Sequence, residues 1–433
     1  MTTITDNQPE TRFDRGLRFK DARLERLLEL VDGGRRLDLE DGSLLMETDD
    51  IHGVCSLADR VRRRIHGDIA WYNVNRHLNY SNVCALSCSF CAFHRKKDEE
   101  GAYEHSLDEI RREAVEASAA GATEMHIVGG LHPWLKFDYY IDMLNTIRDQ
   151  APEIHVKAFT AVEIVHLARI SGRGRDGVDG IRQVLVELRK AGLGSLPGGG
   201  AEVFDDRVHD EAFKGKIRSD QWLDVHRIAH ELGLNTNATM LYGHVERPRE
   251  RLGHLELLRT EQDRALLSWA EAQSIPVDDG KVVLTGVNDL YQKDRLPRVG
   301  ADGLDGGYYQ AIIPLPFFPD KSKLEYLHGP TGLENLRMLA VTRLMLDNFP
   351  HVKAFWIMQS IEMAEFMLQN GADDIDGTVV WYDITKLNDA GTHQEHSAHD
   401  LHRAIREAGF EPVERDTLYR RVYREGSSWS VRD

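Results

Sequence analysis

Three cysteines in one short stretch of the sequence have a spacing that suits an iron–sulfur cluster. They lie in the segment Cys84-Ala-Leu-Ser-Cys88-Ser-Phe-Cys91. Three thiolates can bind three irons of a [4Fe–4S] cluster and leave the fourth iron open, whereas most electron-carrying clusters use a fourth cysteine. An open iron can bind a small chelating molecule. The pattern therefore predicts a catalytic cluster rather than a simple electron store.

Two other uses of the cysteines need to be weighed. The fourth cysteine, Cys55, lies well before the loop and has no short-range partner, so we expect it to be a buried apolar residue or an incidental thiol. Four cysteines in a chain of 433 residues do not resemble the disulfide framework of a small secreted protein. A structural zinc site stays open as an alternative, and it would require a distant histidine as its fourth ligand.

The charge and hydropathy of the chain exclude several classes of protein. Asp and Glu outnumber Lys and Arg by 71 to 54, and the net charge of −17 disfavours nucleic acid as the main partner. No apolar run approaches the roughly 20 residues of a membrane span. The first residues lack the basic and apolar segments of an export signal. An oxygen-sensitive cluster and unpaired thiols fit a reducing compartment, so a cytoplasmic protein is expected.

From residue 71 onward, short apolar segments alternate with amphipathic helices, which is typical of a parallel α/β fold. The predicted strands are 72–80, 124–128, 155–162, 193–196, 235–242, 310–314, 352–357 and 377–381. The predicted helices are 106–120, 137–151, 179–191, 219–233, 256–273, 332–349 and 360–370. Eight strands with intervening helices predict a (β/α)8 barrel of the TIM type.

Further segments flank or interrupt this predicted barrel, which spans 71–386. Residues 1–70 are predicted to form an N-terminal helical extension with helices at 21–31 and 41–64, and 387–433 a short C-terminal tailpiece with a helix at 399–408. The stretch 279–304 is rich in Gly, Asp and Arg. It is either a long loop over the site or an ordinary solvated insertion.

Polar residues occupy one face of the first predicted strand. Side chains alternate along a strand, so four residues share that face: Asn73, Asn75, His77 and Asn79. The set predicts a polar lumen, although any single member could simply hydrogen-bond a neighbouring strand. The cysteine loop follows this strand at its carboxyl end, where barrel enzymes place their active sites.

Two glycine-rich segments follow later strands. The second strand ends in Gly129-Gly130, and the fourth leads into the triplet 198–200, followed by Glu202. Glycine lets the backbone approach a ligand closely. Glu202 could accept hydrogen bonds from a ribose or pair with a cation, and its alternative is a solvated turn.

Together these motifs resemble the radical S-adenosylmethionine (SAM) superfamily. The resemblance implies that the open iron binds the amino and carboxylate groups of SAM, which one electron cleaves to methionine and a 5′-deoxyadenosyl radical. It implies SAM or cluster contacts from Phe90, Phe93, Gly129, Gly130, Gly198, Gly199, Gly200, Glu202 and Thr239. A methyl group on Gly130 or Gly199 is therefore expected to clash with SAM. One departure is Leu131, where the superfamily often has Glu.

Longer segments narrow the resemblance to the menaquinone and deazaflavin branch of the superfamily, and within it to the aminofutalosine synthases. They are RHLNYSNVC (76–84), GGLHP (129–133), PGGGAE (197–202), NATMLYGH (237–244), IPLPFFP (313–319), FWIMQ (355–359) and DIDGT (374–378). The resemblance covers roughly 71–386. The helical start and the tail add little to it.

The resemblance implies a particular reaction. The adenosyl radical adds to the double bond of 3-[(1-carboxyvinyl)oxy]benzoate, and rearrangement with decarboxylation gives 6-amino-6-deoxyfutalosine for menaquinone biosynthesis. Flavodoxin or ferredoxin is the expected electron donor. An aromatic dicarboxylate needs local basic groups, and the candidates are Arg76, His77, His132, Lys157 and His244. Lys157 could instead form an ion pair with Glu163 on the same predicted strand.

Three other classes share part of this pattern. A dehypoxanthine futalosine cyclase or a deazaflavin synthase subunit would share the cluster but abstract hydrogen. A sulfur-inserting enzyme of the biotin synthase type needs further cluster ligands, and Cys55 is the one cysteine left over. A plain electron carrier needs no SAM pocket.

Overall fold

Parallel strands form the centre of the molecule. The computed structural model describes residues 17–272, 307–379 and 395–431. The strands are β1 (Ile69–Asn73), β2 (Asn75–Leu78), β3 (Glu124–Ile127), β4 (His155–Ala158), β5 (Ser195–Leu196), β6 (Asn235–Tyr242), β7 (Tyr309–Pro316), β8 (His351–Val352), β9 (Asp374–Gly377), β10 (Glu411–Glu414), β11 (Val422–Glu425) and β12 (Ser428–Val431). Strands β2 to β8 pair in sequence order as one parallel seven-stranded sheet.

This sheet curls into a half-barrel, and β9 with β1 spans the remaining gap. Lys353, directly after β8, forms a parallel bridge with Asp374 at the start of β9. Strand β9 pairs with β1, and β1 runs through Val74 into β2. If β1 and β2 are counted as one strand, eight strands surround the interior. The predicted α/β barrel of the TIM type is confirmed.

Helices connect the strands and cover the outside of the sheet. In chain order they are α1 (Arg23–Asp32), α2 (Leu39–Glu47), α3 (Ile51–His66), α4 (Leu107–Ala119), α5 (Phe137–Gln150), α6 (Ala161–Ile170), α7 (Gly177–Ala191), α8 (Asp206–Ala212), α9 (Ser219–Glu231), α10 (Pro248–Ala272), α11 (Gly332–Met345), α12 (Trp356–Gln359), α13 (Ile361–Leu368) and α14 (Ala398–Glu407). Capping boxes begin α4 at Ser106 and α6 at Thr160. No helix of the described residues is long and apolar enough to cross a membrane.

The structure corrects several predicted boundaries. The predicted helix 41–64 is two helices, because Asp50 caps a new one by accepting a hydrogen bond from the Gly53 amide at 2.9 Å. The predicted strand 155–162 stops at Ala158, because Phe159 adopts a φ of +63° and Thr160 then begins α6. Helix α12 replaces the end of the predicted strand 352–357.

Two further predictions fall partly or wholly on residues outside the described part of the chain. The last barrel strand lies at Asp374–Gly377, earlier than the predicted 377–381, of which residues 380 and 381 are outside the described part. The predicted loop 279–304 also lies outside it.

The C-terminal residues contribute to the barrel. Strand β10 pairs in parallel with β1, and Arg415 beyond it reaches Asp374 at 2.6 Å. Strands β11 and β12 form a two-stranded hairpin. The tail therefore packs against the amino-terminal part of the first barrel strand.

Candidate active site

The cysteine loop begins just after β2, and hydrogen bonds close it at its base. The amide of Cys84 donates to the carbonyl of Arg95 at 3.0 Å, and the amide of Arg95 donates to the carbonyl of Asn82 at 2.9 Å. Cys88 is buried, while Cys84 and Cys91 are partly exposed. Burial raises the pKa of the Cys88 thiol to about 11. The fold thus holds three thiols in one loop at the carboxyl mouth of the barrel.

Lys96 holds the first half of this loop. Its Nζ atom donates to the carbonyl oxygens of Cys84 and Leu86, each at 3.0 Å, and lies 3.4 Å from that of Ala85. One ammonium group therefore binds three successive carbonyls, one of which belongs to a predicted cluster ligand. The three carbonyls that Lys96 binds come together only when the loop folds. The position of Lys96 in the sequence therefore did not indicate this role.

The Gly129-Gly130 turn packs on the strand that leads into the loop. The Glu163 carboxylate accepts hydrogen bonds from the Gly129 amide at 3.0 Å and from the Tyr80 hydroxyl at 2.9 Å. Its other oxygen accepts the Thr160 amide at 2.8 Å. Burial raises the pKa of Glu163 to about 7, although these hydrogen bonds act to lower it. Glu163 thereby ties β2, the glycine turn and α6 together.

The expected ion pair between Lys157 and Glu163 does not form. Lys157 pairs instead with Glu124 at 2.7 Å, and both side chains are buried. Glu163 lies in the first turn of α6 rather than on a strand, because the chain turns sharply at Phe159. Lys157 therefore pairs inside the barrel with Glu124, whereas Glu163 binds the glycine turn.

The glycine triplet packs against β6 and α6. A Cβ atom on Gly198 would lie 2.6 Å from the Cα atom of Ala238, and one on Gly199 would lie 2.9 Å from the Thr160 methyl group. The Thr239 hydroxyl donates to the Gly198 carbonyl at 2.7 Å. Gly200 has a φ of +88°, which favours glycine. The triplet is required for close packing inside the protein, whatever it contacts in a ligand.

Glu202 forms a buried ion pair with Lys216 beside the cysteine loop. The Lys216 Nζ atom lies 5.1 Å from the centre of the Phe90 ring, and Phe90 meets Phe213 edge to face at 6.2 Å. Burial opposes the charge of Lys216, but Glu202 raises its pKa overall. Sequence reasoning found Glu202 and Phe90 and missed Lys216, whose partner becomes adjacent only on folding.

Charged and aromatic polar residues fill the barrel interior. His77 stacks on His126, with ring centres 4.6 Å apart, at paired positions of β2 and β3. Burial lowers the pKa of His77 to about 4, so its imidazole is neutral at pH 7. Lys353 lies 3.2 Å from Asp376. Together with the ion pair of Lys157 and Glu124, these residues make the barrel interior polar. The polar face of the first predicted strand indicated such an interior.

The other three basic candidates lie elsewhere. Arg76 faces the outside of the sheet, where its charged neighbours are Glu395 and the α4 carboxylates Glu113 and Glu116. His132 accepts the Leu135 amide at 3.1 Å and lies 2.8 Å from a Glu104 oxygen. The His244 side chain is only 1% exposed, between the Leu241 carbonyl and a carboxylate of its own turn. Of the five basic candidates, the structure brings His77 and Lys157 into the interior.

A buried group of possible metal ligands lies apart from the cysteine loop. His66, His351 and Asp373 bring their ligand atoms within 4.8 Å of one another. Arg343 also binds the Asp373 carboxylate, and the His351 Nδ1 atom lies 2.5 Å from it. The guanidinium supplies the cation that this carboxylate needs, so the group links α3, β8 and α11 as a structural network.

Comparison with known proteins places this architecture. Residues 78–258 match the family model described as the radical SAM superfamily, and 306–427 match the CofH/MqnC C-terminal region. The chain is 40% identical to the aminodeoxyfutalosine synthase of Streptomyces coelicolor, over 92% of this chain and 94% of that protein. It is 38% identical to the aminodeoxyfutalosine synthase of Thermus thermophilus, over 94% and 98%. The chain belongs to the aminodeoxyfutalosine synthase family of the radical SAM superfamily.

More distant relatives share the architecture of this radical SAM family. A Methanopyrus kandleri protein named 5-amino-6-(D-ribitylamino)uracil–L-tyrosine 4-hydroxyphenyl transferase is 33% identical over 90% of this chain and 94% of its own length. The crystal structure of methylornithine synthase matches with a TM-score of 0.64 at 15% identity, over 89% of this chain and 97% of that one. That structural match supports the fold alone.

Members of this superfamily use a [4Fe–4S] cluster and SAM, and the cysteine loop fits the cluster. Within the described residues, no compact group of ligand atoms includes the three cysteines; their sulfurs are not gathered within 4.8 Å. A single zinc with Zn–S bonds of about 2.3 Å would need its sulfurs within about 4 Å of one another. Cys55 belongs to no such group among the described residues; it is buried on α3 beside Arg337, and burial raises the pKa of its thiol to about 12.

Proposed function

We propose that the protein catalyses the aminodeoxyfutalosine synthase reaction. It joins the 5′-deoxyadenosyl group of SAM to 3-[(1-carboxyvinyl)oxy]benzoate, with rearrangement and decarboxylation, to give 6-amino-6-deoxyfutalosine. The observation that carries this proposal is the identity of 40% and 38% to two aminodeoxyfutalosine synthases over almost the whole chain. The family motifs extend over the barrel, so the likeness is not confined to the cysteine loop.

In this proposal Cys84, Cys88 and Cys91 hold the cluster. When bound, the cluster and SAM supply the adenosyl radical. Lys96 keeps the carbonyls of the loop in place, and Glu163 fixes the glycine turn beside it. These residues position the loop that would hold the cluster at the carboxyl end of the barrel.

Glu202 and Lys216 are proposed to bind SAM together with the glycine segments. As a buried ion pair they offer one carboxylate and one ammonium group next to Phe90. A carboxylate can accept hydrogen bonds from ribose hydroxyls, and an ammonium group can bind the methionine carboxylate. Thr239 supports this proposed SAM site, because its hydroxyl donates a hydrogen bond to the Gly198 carbonyl at 2.7 Å.

The barrel interior is proposed to hold the substrate. The cations of the lumen are already paired, Lys157 with Glu124 and Lys353 with Asp376. His77 is a neutral donor that faces the same space, so we assign it to substrate binding rather than to charge neutralisation. A primary radical must be kept from water and from stray C–H bonds, which a deep, enclosed barrel provides.

The position of the substrate decides between addition to a double bond and hydrogen abstraction. Addition requires the substrate methylene carbon to lie at roughly 3–3.5 Å from the radical carbon. The enzyme should then convert SAM and substrate one for one into methionine and adduct. Little free 5′-deoxyadenosine should appear while substrate saturates the site.

The test is a product analysis on anaerobically reconstituted, reduced protein. One reaction contains SAM and 3-[(1-carboxyvinyl)oxy]benzoate, and a parallel one contains SAM and dehypoxanthine futalosine. We expect the adenosyl-bearing adduct in the first reaction by mass spectrometry. Stoichiometric 5′-deoxyadenosine in the second, with no adduct in the first, would make the protein a cyclase and refute the proposal.

A second candidate is the reaction of the 33%-identical relatives. A 4-hydroxyphenyl transferase of this kind would act on tyrosine and a ribitylaminouracil, the two compounds in the name of that relative. The lower identity ranks it second. Adding both compounds as a third reaction separates the two readings, because only this candidate predicts a coupled product there.

The proposed reaction needs one electron to start each SAM cleavage. A flavodoxin or a ferredoxin would supply it in a reducing cytoplasm, where free thiols and an exposed cluster persist. The donor is part of the proposal and not of the family assignment.

A further inference from the structure

Two asparagine side chains meet inside the barrel beside Gly377. Asn73 ends β1, Asn75 begins β2, and both residues are fully buried. A Cβ atom added to Gly377 of β9 would lie 2.4 Å from the Asn73 Oδ1 atom and 2.3 Å from the Asn75 Oδ1 atom. Both carboxamides therefore border a space that only a glycine on β9 leaves open.

The carboxamides of these asparagines have unused hydrogen-bonding atoms. The Asn75 Oδ1 atom accepts the Val379 amide at 2.9 Å, which fixes the orientation of the group, and no described residue accepts a hydrogen bond from its Nδ2 atom. Asn73 makes no side-chain hydrogen bond at either atom within the described part of the chain. Buried polar groups are nearly always paired in proteins, so these atoms indicate a place that a ligand or a water completes.

The unpaired atoms on this side of the barrel are mostly donors. Besides the two asparagine Nδ2 atoms, the Trp71 Nε1 atom and the Arg415 Nη2 atom are buried without an acceptor among the described residues. Trp71 precedes Asn73 on the same face of β1, and the Arg415 Nε atom binds Asp374 of β9 at 2.6 Å. A surplus of donors requires a ligand rich in acceptors, and an ionised carboxylate is acceptor-only.

The charges around this space are balanced before any ligand binds. Each carboxylate of β3 and β9 has a cation of its own. The pairs are Asp374 with Arg415 at 2.6 Å, Asp376 with Lys353 at 3.2 Å and Glu124 with Lys157 at 2.7 Å. A further carboxylate would therefore meet neutral amide donors rather than an unpaired charge of its own sign. Hydrogen bonds from two or three N–H groups favour the charged form of a carboxylate.

The position of the asparagine pair suits one of the two carboxylates of the substrate. SAM is proposed to bind at the carboxyl end of β2, where the cysteine loop begins, and His77 lies between that end and Asn75. The enol carboxylate is attached to the carbon next to the methylene that the radical attacks, so it stays beside SAM. The ring carboxylate lies across the aromatic ring from that methylene and points toward the other end of the lumen.

We propose that Asn73 and Asn75 are specificity-determining residues whose Nδ2 atoms donate hydrogen bonds to the ring carboxylate of the substrate. The inference rests on the function proposed above and names the group that the deep end of the lumen recognises. Gly377 is part of this arrangement, because any larger residue would push on both carboxamides.

The test measures how far each asparagine acts through the ring carboxylate. Ligand binding is followed by calorimetry on reconstituted protein with SAM and an oxidised cluster, so that no turnover occurs. The two ligands are 3-[(1-carboxyvinyl)oxy]benzoate and 2-phenoxyprop-2-enoate, which lacks the ring carboxylate. The variants are Asn73→Ala, which breaks no described side-chain hydrogen bond, and Asn75→Asp, which keeps an acceptor for the Val379 amide and loses the donor.

Asn348→Ala is the matched control for these variants. Asn348 is also a buried asparagine, but its Nδ2 atom donates to the Arg259 carbonyl of α10 at 2.8 Å, in the helix layer. The control should be less stable than wild type in urea, because the Arg259 carbonyl loses its partner. It should bind both ligands within about twofold of wild type, since the site is distant from the lumen.

We expect each test variant to lose at least about tenfold in affinity for the substrate, because each removes a hydrogen bond to a charged group. Affinity for 2-phenoxyprop-2-enoate should stay within about threefold of wild type, since that ligand has no group to lose there. In the reduced enzyme, KM for the substrate should rise by a similar factor. The difference between the two ligands separates a lost contact from general damage to the lumen.

Two results would overturn this assignment and leave the proposed function in place. One is a wild-type affinity for the substrate in both variants, which would mean that water alone completes the two amides. The other is an equal loss with both ligands, which would mean that the asparagines only support their strands. If instead the wild-type protein neither binds nor converts the substrate, the proposed function fails, and the assignment fails with it.

Discussion

Gly130 packs directly on the backbone of Val83, the residue that precedes the first cysteine of the loop. The Gly130 amide donates to the Ser81 carbonyl at 2.8 Å, and a Cβ atom added to Gly130 would overlap the Val83 carbonyl group. The sequence predicted a clash between such a methyl group and SAM. The structure places the clash within the protein, at the entrance to the cysteine loop. The glycine is therefore required before any ligand is present.

Gly130→Ala is expected to displace the cysteine loop and to lower the iron content of the reconstituted protein. SAM binding should fall with it rather than ahead of it, because the backbone at Val83 has to move first. Iron and sulfide analysis, with SAM affinity measured on the loaded fraction, checks this order.

Gly253→Ala is the matched control for this glycine. A Cβ atom there meets nothing within 4 Å, and the residue lies inside α10. Alanine should stabilise that helix by up to about 1 kcal/mol. Normal iron content with weakened SAM binding in Gly130→Ala would restore the ligand clash that the sequence predicted.

The three cysteines of the loop should be individually essential. Alanine at Cys84, Cys88 or Cys91 leaves two thiolates, which is too few to retain the cluster. Each variant should lose the [4Fe–4S] absorbance, the low-temperature EPR signal of the reduced cluster and all turnover. Cys55→Ala should keep all three, since that thiol is buried on α3. Loss of the cluster in Cys55→Ala with retention in Cys91→Ala would reverse the assignment.

The buried pair of Lys157 and Glu124 should behave as a unit. Lys157→Met leaves a carboxylate buried without its partner at 2.7 Å, which costs about 3–5 kcal/mol of unfolding free energy. Glu124→Gln combined with Lys157→Met removes both charges and should recover a large part of that loss. Urea denaturation of the single and double variants measures the coupling. Additive losses would mean that the two residues do not depend on each other.

The sequence predicted the barrel well where a strand or helix is decided by its own residues. Strand 235–242 matches β6 at both ends, and helix 137–151 matches α5 to within one residue. Errors occurred where one residue ends an apolar run. Phe159 turns the chain with a φ of +63°, and the apolar residues after it belong to α6 instead of β4. An apolar run alone does not show whether its residues belong to a strand or to the helix that follows it.

The candidate site was predictable in its motifs and not in its polar partners. Cysteine spacing and glycine pairs are local, so the loop and the two turns could be located. Ion pairs such as Lys216 with Glu202 join residues whose proximity depends on the fold. His132 and His244 looked like substrate ligands, yet His132 lies against its own loop and Glu104, and His244 lies against its own turn. The sequence gives the type of a side chain, and packing decides where it points.

His254 gives a prediction for the pH dependence of stability. Its Nδ1 atom accepts the Phe204 amide at 3.2 Å, so the ring proton lies on Nε2 and is donated to the Thr239 carbonyl at 3.0 Å. A second proton on Nδ1 would face the Phe204 N–H group. Burial lowers the pKa of His254 to about 3. The folded protein therefore keeps the imidazole neutral where the unfolded chain, with an ordinary pKa of about 6.5, takes up a proton.

This difference makes His254 stabilising above pH 6.5 and progressively less so as the pH falls toward its folded pKa. The unfolded state binds more protons in that window, so the free energy of unfolding decreases with acid. His254→Gln can keep both hydrogen bonds but does not titrate. It should be less stable than wild type at pH 7.5, and the gap should narrow by about 1 kcal/mol between pH 6 and pH 5. Urea denaturation of both proteins at the three pH values measures it, and a gap that stays constant would show that His254 is protonated in the folded state as readily as in the unfolded one.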